Sequence, residues 1–175
     1  CFGRTSWNGR EREAHSLEEV EWRNVAAKAA TPLVSSWIQM ATILIVEDNV
    51  NVAKFYMLSL ERAGKFRCLQ GRSAEEVLTR ARSGEVDLVL LDISLADFTF
   101  RGQAVDGLVL SRLIKDDPAT AHIPVLLATA HAMEGDRERF LAASGADDYL
   151  QKPIYDPMVL VEKVKRLLDK STRKG

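Results

Sequence analysis

The stretch Asp87-Leu-Val-Leu-Leu-Asp92 decides the fold, because four large apolar residues in a row end abruptly in a carboxylate. A strand with one exposed face would alternate apolar and polar residues, so an unbroken run predicts a strand that is buried on both faces. A second run, Thr42-Ile-Leu-Ile-Val46, ends the same way at Glu47-Asp48. In open α/β sheets, ligands bind at the carboxyl ends of the strands. We therefore expect three carboxylates at that edge, with Asp92 at the centre.

Composition limits the classes of function. The chain has 175 residues and a formal net charge of -1, so no general excess of positive charge favours nucleic acid or an anionic membrane. The two cysteines, Cys1 and Cys68, form neither a disulfide framework nor a metal-ligand cluster. The apolar runs are strand-sized, and no leader pattern opens the chain. These features predict a soluble, cytoplasmic protein without membrane insertion and without direct contact to nucleic acid.

Residues 1–39 differ from the rest of the chain, because they contain all three tryptophans and no methionine, and Met40 directly precedes the first strand. Ser16-Leu17-Glu18-Glu19 has the pattern of a capping box, which predicts a helix. This extension is either an interaction helix or regulatory arm, or vector-derived, misassigned or upstream-translated sequence. We favour the second interpretation. The predicted domain is residues 40–170, followed by a polar tail, residues 171–175.

From the first strand onwards, apolar runs alternate with helical patterns, which is typical of βα units and a parallel sheet. The predicted strands are Thr42–Val46, Phe66–Leu69, Leu88–Asp92, Ile123–Thr129 and Tyr149–Leu150. A helix is predicted after each strand, the fourth lying between Met133 and Ala143, and Gly64 is expected to end the first helix in a left-handed conformation. The segment Ile93–Val105 shows no periodicity and is expected to be a loop without regular structure.

The strand ends would present a chemically coherent set of side chains at one edge: Glu47, Asp48, Asp92, Thr129 and Lys152. Three carboxylates held close together raise one another's pKa values unless a cation neutralises them. A hard divalent ion such as Mg²⁺ resolves this conflict and leaves coordination positions for water and a phosphoryl oxygen. The Asp92 carboxylate could then attack a phosphoryl donor and form an acyl phosphate, with Lys152 and Thr129 contacting its oxygens.

Four motifs occur in order, each at a strand end: Ile-Leu-Ile-Val-Glu47-Asp48-Asn49, Leu-Val-Leu-Leu-Asp92, Leu-Leu-Ala-Thr129-Ala and Tyr149-Leu-Gln-Lys152-Pro153. Together they resemble the response-regulator receiver domain of two-component signalling. The resemblance extends from Met40 to about Lys170. It implies a doubly wound five-stranded parallel sheet of the flavodoxin-like kind, with strand order 2-1-3-4-5 and helices on both faces.

The resemblance also implies a phosphorylation site that depends on Mg²⁺. Asp92 matches the phosphoacceptor of the family. Glu47 and Asp48 match the acidic pair at the metal, with Asp48 as the direct ligand. Ser94 matches the position whose backbone carbonyl completes the metal site. Lys152 matches the lysine that pairs with the phosphate.

A switch and its partners are implied in the same way. Thr129 matches the switch hydroxyl, and Tyr149 matches the aromatic residue whose rotamer couples to it. The family's Lys-Pro bond is commonly cis, so we expect a cis Lys152–Pro153 bond. The implied phosphodonor is a histidine kinase or histidine phosphotransfer protein. The implied target is a protein that binds the face formed by the fourth helix, the fifth strand and the last helix.

The chain departs from the family pattern directly after Asp92. Receivers commonly have a short loop with Met-Pro and then Asp-Gly, whereas here Ile93–Val105 precedes Asp106-Gly107 and the proline is missing. A long loop beside a site is often functional. This one would cover the phosphate or contact a partner, and it bears on kinase access and on the lifetime of the acyl phosphate.

The preferred function is a single-domain response regulator that accepts a phosphoryl group and switches its binding to a partner, rather than an enzyme that turns over a substrate. One alternative is a degenerate receiver that binds partners without phosphorylation. A second is an aspartate-nucleophile phosphohydrolase, although haloacid-dehalogenase enzymes carry an aspartate where this chain has Ser94. A third is a flavodoxin, although the first strand is not followed by a Ser/Thr-Gly phosphate loop.

Overall fold

The structure, a computed structural model, describes residues 40–130 and 135–173. The predicted N-terminal helix lies outside these residues. So does Met133, at the predicted start of the fourth helix, and the last part of the predicted tail.

The described residues form seven strands and five helices in βα alternation. The strands are β1 (Thr42–Val46), β2 (Arg67–Gln70), β3 (Leu88–Asp92), β4 (Thr99–Phe100), β5 (Gln103–Ala104), β6 (Val125–Thr129) and β7 (Asp148–Gln151). The helices are α1 (Val50–Arg62), α2 (Ala74–Arg82), α3 (Gly107–Asp116), α4 (Asp136–Ser144) and α5 (Pro157–Thr172). No helix of the described ranges is long and apolar enough to span a bilayer.

Five of the strands form one parallel sheet in the order β2-β1-β3-β6-β7. Counting only these five in chain order, this is the predicted order 2-1-3-4-5, which is confirmed. All five residues of β1, β3 and β6 are buried, as the continuous apolar runs predict. The central strands are therefore shielded from water on both faces.

Helices cover both faces of the sheet, and successive strand residues pack into different apolar clusters. Ile43 and Ile45 of β1 pack on the side of α1 and α5, whereas Leu44 and Val46 pack on the side of α2 and α3. Each large aliphatic side chain that is fully buried in this way stabilises the fold by about 1.5–3 kcal/mol. The doubly wound architecture follows from this two-sided burial.

Side-chain caps define where α2 and α5 begin. Ser73-Ala74-Glu75-Glu76 has the pattern of a capping box, and Asp156-Pro157 has that of an N-cap followed by a proline at the first helical position. The Ser73 hydroxyl accepts the N–H of Glu76 at 3.2 Å, and the Asp156 carboxylate accepts the N–H of Met158 at 2.9 Å. Pro157, the first residue of α5, has no N–H to satisfy at that position. The Lys152–Pro153 bond is cis, as expected.

The expectation for Gly64 is wrong. Lys65, with φ 58°, is the left-handed residue after α1, and Gly64 does not have a positive φ. A Cβ at Gly64 would lie 2.7 Å from the carbonyl oxygen of Leu60 and would overlap the ring of Phe66. Glycine is required here by the close approach of Phe66 rather than by the backbone dihedral.

The expectation that Ile93–Val105 lacks regular structure is also wrong. β4 and β5 pair as a two-stranded antiparallel hairpin, and its two turn residues, Arg101 and Gly102, have φ values of 52° and 79°. Positive φ at both central residues is typical of the tight turns that join such strands. The flanking Phe98 and Val105 are buried and joined by a backbone hydrogen bond of 3.0 Å. Strands of two residues are too short to show periodicity in the sequence.

Candidate functional site

The sheet register brings the predicted site residues to one edge. Glu47 directly follows β1, and Asp92 ends the neighbouring strand β3. Across the next pair, Asp92 is opposite Ala128, which directly precedes Thr129. The backbone N–H of Lys152, one residue beyond β7, donates to the carbonyl oxygen of Thr129 at 2.8 Å. Four strand ends therefore meet around Asp92.

Three carboxylates form a compact acidic cluster at this edge. Glu47, Asp48 and Asp92 each offer one oxygen, and these oxygens lie within 4.8 Å of one another. Glu47 and Asp92 are buried, with 3% and 6% of their surfaces exposed, and Asp48 is open to solvent. A set of anionic oxygens with one open side suits a hard cation such as Mg²⁺, which keeps part of its water shell. The residues present therefore fit the predicted metal.

Lys152 bridges the two buried carboxylates of the cluster. Its Nζ lies 2.7 Å from Oε2 of Glu47 and 3.0 Å from Oδ2 of Asp92. The backbone N–H of Asn49 donates to the other oxygen of Glu47 at 3.2 Å. Two like charges buried side by side would otherwise repel each other strongly, so the ammonium group offsets that repulsion.

The close approach of the two buried carboxylates affects the pKa of Glu47. Burial raises its pKa above the ordinary value, and the negative charge of Asp92 raises it further. The hydrogen bond and charge of Lys152 act in the opposite direction without cancelling the effect of burial. A buried carboxylate with a raised pKa is one that additional positive charge would help to ionise.

The other predicted residues are placed as follows. Thr129 is fully buried at the end of β6, next to the Asp92 position of β3. Tyr149 of β7 is 8% exposed, and its ring lies 6.4 Å from the ring of Phe140 on α4, at an interplanar angle of 23°. Ser94 is exposed, two residues beyond Asp92. The metal-binding carbonyl of Ser94 and the switch roles of Thr129 and Tyr149 stay predictions.

The segment between β3 and the hairpin supplies a contact that the sequence did not indicate. The backbone N–H of Ala96 donates to Oδ2 of Asp48 at 2.9 Å. The backbone N–H of Arg101 donates to Glu75 of α2 at 3.3 Å, which ties the hairpin to the body of the domain. The segment after β3 thus holds one oxygen of the acidic cluster. Every residue except proline has a backbone N–H, so the residue type at position 96 could not predict this contact.

Gly107 is a second residue whose importance the sequence only hinted at. It is the first residue of α3, and its N–H donates to the carbonyl oxygen of Ile93 at 2.9 Å. A Cβ at this position would overlap the carbonyl oxygen of Asp92 and would lie 2.8 Å from Cα of Ile93. The start of α3 therefore packs directly on the backbone that carries Asp92. In the sequence, the Asp106-Gly107 pair was the feature that pointed to this position.

Comparison with known proteins assigns this arrangement to a family. The family model for the response regulator receiver domain matches residues 43–165. The chain belongs to this family. The receiver domain is 37% identical over 127 residues to the polar-differentiation response regulator DivK of Brucella ovis, covering 73% of this chain and 95% of that protein. The corresponding protein of Brucella anthropi is 36% identical over 127 residues, with the same shares of both chains covered.

Solved structures agree with the fold of this receiver domain. A putative response regulator from Chloroflexus aurantiacus superposes with a TM-score of 0.63 at 31% identity, covering 74% of this chain and 98% of that chain. The BeF3-activated receiver domain of DrrB gives a TM-score of 0.58 at 29% identity, with the same coverage. The predicted family and fold class are thereby confirmed.

Proposed function

We propose that this receiver domain accepts a phosphoryl group on Asp92, with Mg²⁺ bound by Glu47, Asp48 and Asp92, and that phosphorylation switches its binding to a partner protein. The bridging of Glu47 and Asp92 by Lys152, beside the open carboxylate of Asp48, carries this proposal. The site has anionic groups that could bind a cation and an ammonium group that could bind a phosphate. The similarity to proteins named response regulators supports the same conclusion.

The transfer step needs few groups. A carboxylate oxygen of Asp92 attacks the phosphorus of a phosphohistidine; the O–P bond forms while the N–P bond breaks, and the released imidazole takes up a proton from water. Mg²⁺ held by the three carboxylates would supply positive charge at the phosphoryl oxygens. The Lys152 ammonium, 3.0 Å from Asp92, is within reach of the same oxygens after a small movement. The phosphodonor is a histidine kinase or a histidine phosphotransfer protein.

The metal set is proposed from the chemistry of its donors. The three carboxylates supply the negative charge, and the backbone carbonyl of Ser94 is proposed as a further oxygen ligand. Asp48 is the most exposed of the acids, and its Oδ2 is fixed by the N–H of Ala96. A fixed carboxylate binds a cation at a lower entropic cost than a mobile one.

The switch is proposed to act through Thr129 and Tyr149. Thr129 follows the strand position opposite Asp92, so a phosphoryl group on Asp92 would attract its hydroxyl. Tyr149 lies under α4, where its ring stacks on Phe140. A displacement of Thr129 would therefore change the packing of Tyr149 and, with it, the surface formed by α4, β7 and α5. The target protein is proposed to bind to this surface. The cytoplasmic location stays a prediction.

Intact mass spectrometry tests the proposal. The protein is incubated with Mg²⁺ and acetyl phosphate, and wild type is compared with Asp92→Asn. We expect one labile phosphoryl adduct on wild type and none on the variant. Continuous release of phosphate without an adduct would indicate a phosphohydrolase. Absence of both an adduct and phosphate release would indicate a receiver that acts without phosphorylation.

A further inference from the structure

The side chain of Tyr56 on α1 carries a hydroxyl that forms no hydrogen bond with any described residue. Its side chain is 1% exposed, and among the described residues its hydroxyl is the one buried side-chain nitrogen or oxygen that has no hydrogen-bond partner. A buried hydroxyl without a partner is destabilising, and phenylalanine would fill nearly the same volume without that penalty. The hydroxyl is therefore a donor available for an acceptor in another state of the molecule.

Tyr56 lines the same cavity as Lys152, the residue that bridges the acidic cluster. Tyr56 belongs to the apolar cluster beneath the α1 side of the sheet. It also lines, together with Lys152 and Ala130, a cavity of about 470 Å³. Burial and the negative charges of Glu47 and Asp92 raise its pKa well above the ordinary value. The group therefore keeps its proton at neutral pH and can act only as a donor towards these carboxylates.

Glu47 is the carboxylate that would need such a donor. In this structure its Oε1 accepts the N–H of Asn49, and its Oε2 accepts from Lys152. A phosphoryl group on Asp92 would draw the Lys152 ammonium towards the new negative charge. Oε2 of Glu47 would then lose its donor in a place where only 3% of the residue is exposed to water. A buried carboxylate oxygen that loses a hydrogen-bond donor is destabilised unless another donor replaces it.

We propose that Tyr56 is a positioning residue of the phosphorylated state, in which its hydroxyl donates to Oε2 of Glu47 and replaces Lys152 there. The exchange frees Lys152 for the phosphoryl group while Glu47 stays in place for the cation. In this structure Oε2 accepts from Lys152, and the Tyr56 hydroxyl makes no hydrogen bond. This inference rests on the proposed phosphorylation of Asp92.

Tyr56→Phe removes the hydroxyl and keeps the ring, and Tyr155→Phe is the matched control because Tyr155 is 89% exposed. Two quantities are measured for the full chain: the melting temperature without Mg²⁺ or phosphate, and the affinity for beryllofluoride in the presence of Mg²⁺, by calorimetry. For Tyr56→Phe we expect a melting temperature raised by roughly 2–4 °C, because a buried unpaired group is lost. We also expect beryllofluoride affinity to fall about tenfold, the effect of one hydrogen bond to a charged group. Both values should be unchanged in Tyr155→Phe.

The outcomes separate this inference from the proposed function. A lowered melting temperature in Tyr56→Phe, or an unchanged affinity for beryllofluoride, would overturn the role of Tyr56 while wild type still binds beryllofluoride and takes up a phosphoryl group. If wild type bound no beryllofluoride and formed no adduct with acetyl phosphate, the proposed function would fail, and the role of Tyr56 would fail with it.

Discussion

The ammonium of Lys152 lies 3.0 Å from Oδ2 of Asp92, although the strands that carry them are not neighbours. β6 runs between β3 and β7, so the ion pair crosses over the end of a strand. The same ammonium lies 2.7 Å from Glu47, which follows β1. One positive charge therefore connects the ends of three strands and keeps two buried carboxylates together.

Removing this charge is expected to destabilise the fold. Lys152→Met would leave Glu47 and Asp92 buried beside each other without a counter-charge, and we expect the free energy of unfolding to fall by about 2–4 kcal/mol near pH 7. Added Mg²⁺ should restore part of the loss, because the cation replaces the ammonium. Urea denaturation with and without Mg²⁺ measures both effects. Lys165→Met, at an exposed position, is the control and should change little. Equal stability of Lys152→Met and wild type would contradict the electrostatic role of the ammonium.

Binding of Mg²⁺ should stabilise wild type by an amount that rises logarithmically with the ratio of Mg²⁺ concentration to Kd. At a concentration ten times the Kd, a ligand that binds only the folded state adds about 1.4 kcal/mol to the free energy of unfolding. Asp48→Asn removes one anionic ligand, so its melting temperature should respond much less to Mg²⁺. Asp169→Asn, an exposed change away from the cluster, should respond like wild type. A Mg²⁺ response that survives in Asp48→Asn would place the cation elsewhere.

Asp148, a buried carboxylate outside the acidic cluster, should make stability depend on pH. Burial opposes its ionisation, but hydrogen bonds from Lys163 and from the N–H of Tyr149, together with the charge of Lys163 and a bond from Arg137, lower its pKa from 3.8 to about 2. Arg166 pairs with it at 2.8 Å. The folded-state pKa lies below the unfolded one, so the stabilisation is complete above about pH 4 and disappears as the pH falls towards 2.

The test for Asp148 is a comparison of Asp148→Asn with wild type across this range. We expect the variant to lose on the order of 1–3 kcal/mol of unfolding free energy near pH 7, since its three cationic partners are partly exposed. The difference should shrink as the pH is lowered to about 3, where wild-type Asp148 begins to protonate. A difference that stays constant with pH would assign the loss to packing instead of charge.

Gly107→Ala should disturb Asp92, the proposed phosphoacceptor, without touching its side chain. The new Cβ would overlap the carbonyl oxygen of Asp92, so α3 or the end of β3 must shift. We expect a loss of stability of about 1–3 kcal/mol and a reduced rate of phosphoryl uptake. Gly71→Ala is the comparison, because its nearest neighbour is a side-chain methyl group of Val77 and not the backbone of Asp92. Phosphoryl uptake should persist in Gly71→Ala. Uptake at the wild-type rate in Gly107→Ala would contradict the prediction, because it would show that the backbone at Asp92 can shift without loss of function.

Much of the fold could be predicted because its signals are local. The uninterrupted apolar runs around Leu44 and Leu90 specify strands that are buried on both faces, and the caps at Ser73 and Asp156 act within three residues of their own positions. The end positions Glu47 and Asp92 then follow from the rule that parallel strands share one carboxyl edge. These parts of the site required no knowledge of distant contacts.

The remaining features depend on contacts between distant segments or on backbone atoms. The hairpin after β3 was missed because its strands have two residues each and its turn contains Arg101, a residue type uncommon at positive φ. The bond from the N–H of Ala96 to Asp48 joins residues that are 48 positions apart. The sequence shows Tyr56 as one of several apolar residues at helical spacing, which predicts a core position. The neighbouring residues do not show that its hydroxyl lacks a hydrogen-bond partner.

The most direct measurement locates the phosphoryl group in the chain. After incubation with Mg²⁺ and acetyl phosphate, borohydride reduces an aspartyl phosphate to homoserine, and peptide mass spectrometry then identifies the modified residue. Phosphorylation of Asp92 predicts homoserine at this position and nowhere else, with no modification when Mg²⁺ is removed by a chelator. Homoserine at Asp48 or at any other carboxylate, or an unmodified Asp92 in protein exposed to the donor, would contradict it.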